Sequence, residues 1–156
     1  MDKITIRRLE PSNKDYIRII ANWYFEEWNT PIEKTFSRLE NQPGEDVLFQ
    51  LVATKEDQLI ATVGLGNKVN LIKVHKRYEH LKPWVALLYT QEADRKQGVG
   101  QLLLEEINRQ AKAIALKEIY LYTFTAESLY TKCGWKEIDR AQYKGHDTVI
   151  MKKQFE

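Results

Sequence analysis

At 156 residues, with 43% hydrophobic and 29% charged side chains, the sequence reads as one ordinary globular domain over 1–156, long enough to bury a core. A formal net charge of +2 excludes wholesale polyanion binding, and the one cysteine, Cys133, excludes an intramolecular disulfide and a cysteine-held zinc. The N-terminus lacks the apolar core of a signal peptide and no run approaches the ~20 apolar residues that span a bilayer, so a reducing cytoplasm is the expected compartment.

Lys3 to Arg8 alternates polar and apolar residues, as a half-exposed strand does. Pro11-Ser12-Asn13 breaks it, and Ser12 with Asp15 makes a box-like cap for a helix that runs through Trp28. Its expected buried side is Ile17, Ile20, Ala21, Tyr24 and Trp28. Thr30, Pro31 and Glu33 supply the cap, first and third positions of a second helix that reaches Asn41, and Pro43-Gly44 turns the chain. Val47–Ala53 and Leu59–Leu65 read as antiparallel strands around a loop at Lys55–Gln58. Residues 66–82 are irregular and basic, with Lys68, Lys73, Lys76, Arg77 and Lys82.

Trp84–Thr90, just after Pro83, is a short apolar run that suits a buried strand. Gln91–Asp94 is a polar connector and Arg95–Gly100 a basic turn. Leu103, Ile107, Ala111 and Ile114 then line one face of a helix. Glu118–Thr123 is a strand, and the helix before it is long enough to cross over to a parallel neighbour. Thr125 caps a short helix that Gly134 ends. Trp135–Tyr143 and Asp147–Lys153 form a final hairpin around Lys144–His146. The fold class is α/β (α+β): a mixed central β-sheet of about six to seven strands flanked by helices, in the order β-α-α-β-β-β-α-β-α-β-β.

The turn between the buried strand and the amphipathic helix has a physical use. The first N–H groups of a helix lack intrahelical partners and carry the positive end of its dipole. Glycines at that position let an anion reach the amides, and Arg95 and Lys96 add positive charge. The run is neither the dinucleotide fingerprint G-x-G-x-x-G nor a Walker A loop. Taken alone, it also reads as a glycine-softened helix start on a solvated turn.

The R-x-x-G-x-G spacing of Arg95, Gly98 and Gly100 resembles the pyrophosphate-binding motif of the GNAT superfamily, the acyl-CoA-dependent N-acetyltransferases. A second stretch, Ala126-Glu127-Ser128-Leu129-Tyr130-Thr131-Lys132-Cys133-Gly134-Trp135, resembles that family's A-x-x-L-Y-x-x-x-G-F segment, with Trp135 in place of Phe. The resemblance covers nearly the whole chain, including the N-terminal helix pair that shapes the family's acceptor site. It implies acetyl-CoA as co-substrate and no metal. Pyrophosphate would lie on Arg95, Lys96, Gln97, Gly98, Val99 and Gly100. Leu88, Tyr89 and Thr90 would supply backbone contacts to the donor, with pantetheine between this strand and a splayed neighbour at 118–123. Tyr130 would be the general acid that protonates the leaving thiolate. Two positions depart from the family pattern: Glu92, where many members have Pro, and Asp94, where an aromatic or His is common. Both put negative charge beside the anion site.

The implied reaction needs a deprotonated amine, so a base or a water chain must take its proton. Val85–Leu88 offers no carboxylate. Glu79, just upstream, is the candidate general base, with a plain surface charge or a water-mediated route as the competing readings. Tyr24, Glu27, Trp28 and Trp84 are the candidate acceptor contacts. Their aromatic faces suit a cationic amine, although core packing explains them as well. His75 and His146 read as loop residues, and Cys133 as packing beneath the short helix without a base to activate it.

The expected function is transfer of an acetyl group from acetyl-CoA to a primary amine of a small molecule or peptide, directly, within a ternary complex. The alternative is a non-catalytic acyl-CoA-binding regulatory module of the same fold. Neither nucleic acid nor membrane is an expected partner, since 66–82 lacks organised aromatic and basic alternation. A homodimer enters only as a family-level expectation. The acceptor's identity is not legible, because such folds host many chemistries.

Overall fold

The computed structural model describes residues 3–155. Its strands are β1 (Ile4–Arg8), β2 (Val47–Lys55), β3 (Gln58–Gly66), β4 (Trp84–Thr90), β5 (Glu118–Thr123), β6 (Lys136–Tyr143) and β7 (His146–Gln154). Its helices are α1 (Lys14–Trp28), α2 (Ile32–Glu40), α3 (Asn70–Val74), α4 (Val99–Ala113) and α5 (Glu127–Lys132), with 3-10 turns at Lys76–Tyr78 and Glu92–Asp94. The strands form a seven-stranded mixed sheet in the order β1-β2-β3-β4-β5-β7-β6, parallel only between β4 and β5. The expected element order is recovered, with α3 added inside the stretch read as irregular.

Strands β2 and β3 are buried along almost their whole length, so both read as near-continuous apolar runs. One face of the sheet, with Leu51, Val63, Leu65, Val85 and Leu121, packs under α4 through Val99, Leu103, Leu104 and Ile107. Val52 and Leu59 pack under α1 and α2, against Ile17, Ile20, Tyr24 and Leu39. Trp84, Tyr120 and Ile150 form a third cluster that Leu71 of α3 and Tyr78 cover. No helix among the described residues is long and apolar enough to cross a membrane.

Helix boundaries differ from expectation by small steps with local causes. Asn13, not Ser12, caps α1, its Oδ1 accepting from the Tyr16 N–H at 3.2 Å; Asn and Ser are comparable caps, so the choice falls to whichever meets the first free amides. Pro31 itself stands at the α2 cap position, one residue later than the Thr30 cap expected, and no side chain caps that helix. Ala126 replaces Thr125 at the start of α5, because Thr123 Oγ1 accepts from both the Thr125 and Ala126 amides, at 3.3 and 3.2 Å. Ile114 falls just past the end of α4 and Trp28 in the last turn of α1; both are exposed rather than core.

Burial raises the phenol of Tyr24 and that of Tyr122, and burial followed by Glu118 pushes Tyr120 up to about 12. The folded chain therefore holds protons that the unfolded chain gives up near pH 10. A group whose folded value is raised contributes its full stability below the unfolded value and loses it as pH climbs. The urea midpoint should hold steady up to about pH 9 and fall steadily from about pH 10 to 12. A midpoint unchanged through that window would contradict this assignment.

Candidate active site

Strands β4 and β5 pair at one position, Trp84 opposite Tyr120, where the Tyr120 N–H donates to the Pro83 carbonyl at 2.9 Å. Beyond it neither strand has a Cα partner in the other, so a wedge opens toward their C-terminal ends. On its other edge β4 carries a bulge. Gly64 faces Ala86 and Thr62 faces Tyr89, so β4 uses one residue more than β3 over that span. The extra residue lies at Leu87, whose φ of 58° is left-handed. Leu87 and Tyr89 pack on the α1–α2 side, and Leu88 packs on the α4 side.

A buried polar chain backs the bulge. The Tyr24 hydroxyl donates to the Leu87 carbonyl at 2.7 Å and accepts from Gln50 Nε2 at 3.1 Å. Gln50 Nε2 also donates to Thr62 Oγ1 at 2.8 Å, and the Thr62 hydroxyl donates to the Leu51 carbonyl at 2.8 Å. Gly64 makes room for this amide: a Cβ there would stand 2.5 Å from Gln50 Oε1.

The turn after β4 presents the start of α4. Lys96 and Gly98 both have left-handed φ, 64° and 82°, which coils the segment into position. Gly98 is the N-cap residue, no side chain caps the helix and no acidic residue occupies its first turn. Its first amides are therefore open, with their dipole uncompensated. A Cβ on Gly98 would meet nothing within 4 Å, so the space before those amides is clear. The residues thus fit a diphosphate group. Arg95 folds back, Nε donating to the Thr90 carbonyl at 2.7 Å and Cζ 5.2 Å above the Tyr89 ring. Lys96 and Gln97 are exposed, and the Val99 side chain is buried beneath the helix start.

The two acidic departures prove unequal. Glu92 is exposed. Asp94 is buried, paired with Lys55 at 3.3 Å and accepting from Gln91 Nε2 at 2.6 Å. Its charge is spent inside the protein and fastens the connector to β2, rather than repelling an anion at the turn.

Tyr130 lies on α5, half-buried against the α4-side core, its ring edge-on to Trp135 at 6.2 Å. Burial, then Cys133, raises its phenol, so it is protonated at neutral pH. Its hydroxyl makes no hydrogen bond among the described residues. α5 has only six residues and none of them is fully buried, so it depends on ties at its ends. Arg140 holds Glu127 at the first turn through two 2.7 Å bonds, and Lys153 Nζ donates to the Cys133 carbonyl at 3.2 Å at the other end. Cys133 packs beneath the helix against the same core.

The remaining expected residues divide. Tyr24, expected among the acceptor contacts, is buried with its hydroxyl bonded to Leu87 and Gln50 and offers no open face. Trp28 stands near it and edge-on to Tyr89, whose ring stacks on Trp23 at 4.9 Å. Glu27 is exposed on the same helix end. Trp84 does not join them. It is fully buried in the third cluster, with Nε1 donating to the Leu81 carbonyl at 2.6 Å and its ring against Tyr120 and Tyr122. The alternation of β4 sends it into the core below α3, so it forms no part of a pocket wall. Glu79 closes the 3-10 turn ahead of β4, exposed, its carboxylate without a partner among the described residues. Among the described residues no three His, Cys, Asp or Glu gather to hold a metal.

Residues 47–137 match the sequence profile of the acetyltransferase (GNAT) domain. The chain belongs to that family. Solved structures repeat the fold of this acetyltransferase. An aminoglycoside 6'-N-acetyltransferase complexed with coenzyme A aligns over 96% of each chain with a TM-score of 0.75 and 12% identity. A GNAT-family acetyltransferase from Streptococcus pneumoniae aligns over 99% of this chain and 100% of its own, at 0.72 and 21%. The PaiA N-acetyltransferase from Thermoplasma acidophilum, in complex with coenzyme A, aligns over 98% and 99%, at 0.68 and 22%. Among curated proteins no sequence matches the acetyltransferase.

Sequence reasoning missed the Tyr24–Gln50–Thr62 chain and the Arg140 tie. The first had a signal: a lone glutamine inside the apolar run Val47–Ala53 of a buried strand. The second had none, since Arg140 and Glu127 meet only through the packing of β6 on α5.

Asp94→Ala removes a buried carboxylate that pairs with Lys55 and accepts from the part-buried Gln91 amide, and should cost about 1–3 kcal/mol of stability by urea denaturation. Glu92→Ala should stay within about 0.5 kcal/mol of the parent. Equal effects would mean that both carboxylates lie in solvent.

Proposed function

We propose that this acetyltransferase moves an acetyl group from acetyl-CoA to a primary amine of a small molecule or peptide, directly, within a ternary complex. The observation that carries the reading is the open start of α4 placed beside the unpaired wedge of β4 and β5. A diphosphate needs the first and an extended pantetheine arm needs the second. Arg95, Lys96, Gln97, Gly98, Val99 and Gly100 are the proposed pyrophosphate contacts, and Leu88, Tyr89 and Thr90 the contacts along the wedge. The donor supplies an acetyl thioester.

The protein's own part is electrostatic and protonic. A backbone N–H of β4 donates to the carbonyl oxygen as negative charge grows there. Tyr130, protonated because burial disfavours its anion, holds a proton for the departing sulfur. Glu79 or water takes the proton of the amine. Trp28 and Glu27, beside the Trp23–Tyr89 stack, are the proposed acceptor contacts, with aromatic faces and a carboxylate suited to a cationic amine. The competing reading, a regulatory module that binds the donor without turnover, makes a different forecast in the same experiment.

Calorimetry with acetyl-CoA should give binding that Gly98→Glu abolishes, because the substitution brings a carboxylate to the anion site at a left-handed φ of 82°. Thiol release with a panel of amines should show turnover. Tyr130→Phe should lower kcat by about 10²-fold or more while leaving donor affinity unchanged. Binding without turnover on any amine would favour the regulatory module. No binding by the parent protein would refute both readings.

A further inference from the structure

We propose that Tyr24, anchored by Gln50 and Thr62, is the positioning residue that aims the Leu88 N–H into the wedge between β4 and β5. This rests on the acetyltransferase reading above and names which amide serves the carbonyl and what holds it there. In a trans peptide the carbonyl oxygen and the following N–H point in opposite directions. The cis bonds among the described residues precede prolines, so the Leu87–Leu88 peptide is trans. Its oxygen accepts from the Tyr24 hydroxyl at 2.7 Å. That hydroxyl is also held by Gln50 of β2, whose amide is bonded to Thr62 of β3. The hydroxyl therefore stands toward β2 and β3. The Leu88 N–H must point the other way, toward β5, where strand pairing has ended after Trp84 and Tyr120.

Packing alone does not account for these side chains. Tyr24, Gln50 and Thr62 are 2%, 3% and 0% exposed. Polar groups so deep are unfavourable unless bonded, and apolar residues of similar volume would fill the space without that desolvation. The chain also sits at a backbone outlier. Leu87 is not glycine, yet its φ is 58°, and such residues persist where their surroundings over-determine them. The Tyr24 hydroxyl is the side-chain bond to that residue. Burial keeps the phenol protonated, so it remains a donor across the neutral range. Gly64 completes the arrangement, because any larger residue would displace Gln50.

The test is Tyr24→Phe in the full chain, which removes one oxygen and keeps the ring. Three readouts are taken: the Leu88 amide shift and hydrogen exchange by NMR, donor affinity by calorimetry with acetyl-CoA, and kcat and KM with an amine active in the panel. We expect a moved and faster-exchanging Leu88 amide, donor affinity within about 2-fold, unchanged KM and kcat lowered about 10²-fold, as for loss of one oxyanion donor. Ile20→Val, a core change on the same helix, should lower stability and move neither the Leu88 amide nor kcat. A Leu88 amide and kcat unchanged in Tyr24→Phe would overturn the proposal. So would equal changes in Ile20→Val, which would mark the role as merely structural. If the parent binds donor but turns over no amine, the enzymatic reading fails by itself, and the Leu88 amide alone decides this one. Should Tyr24→Phe not fold, Thr62→Val removes the anchor of Gln50 and must move the same amide for the proposal to stand.

Discussion

Two parallel strands ordinarily keep their hydrogen bonds until one of them ends. β4 and β5 stop after a single pair of residues, Trp84 and Tyr120. Unpaired backbone inside a fold is unfavourable unless something else satisfies it. The rest of the molecule is arranged around that gap. The sheet stays continuous because β4 remains paired to β3 and β5 to β7. α4 crosses from one side of the gap to the other and buries Leu103, Leu104 and Ile107 against both halves of the sheet. Trp84 and Tyr120 close its narrow end under α3, as part of the core rather than of a binding surface.

Charge near the gap is distributed so that the helix start stays positive. Asp94, which folds back from the connector, is buried against Lys55, and the exposed Glu92 lies on the connector ahead of the turn. Arg95 rests on Tyr89 and Thr90. Tyr89 in turn stacks on Trp23 of α1, so the basic turn and the N-terminal helices share one aromatic ring. On the far side, α5 is held less by burial than by Arg140 and Lys153, which reach it from β6 and β7. A short helix carrying a half-buried tyrosine is thus placed by the final hairpin that follows it.

Periodicity was informative wherever one face of an element meets the core. α4 was legible from Leu103, Ile107 and Ala111, and β2 and β3 from unbroken apolar runs, because burial is what sets those patterns. It failed at ends. Ile114 keeps the helical spacing but lies past the last turn, and caps moved by one residue because several side chains compete for the same few amides. It also failed for 66–82, where α3 is too short to show a period.

From the sequence alone came the fold class, the position of the glycine-containing turn and the tyrosine of the short helix, since each depends on residues close together along the chain. A strand, two glycines and an amphipathic helix are local matters of backbone freedom and burial. Only the tertiary structure decided that Trp84 is core, that Asp94 is neutralised and that Tyr24 bonds the Leu87 carbonyl. The first depends on which element covers that face of β4, and the other two on a partner 39 or 63 positions away, in the case of Tyr24 at a carbonyl turned by the bulge. Strand alternation is reset by a single inserted residue, and no local pattern records where that happens.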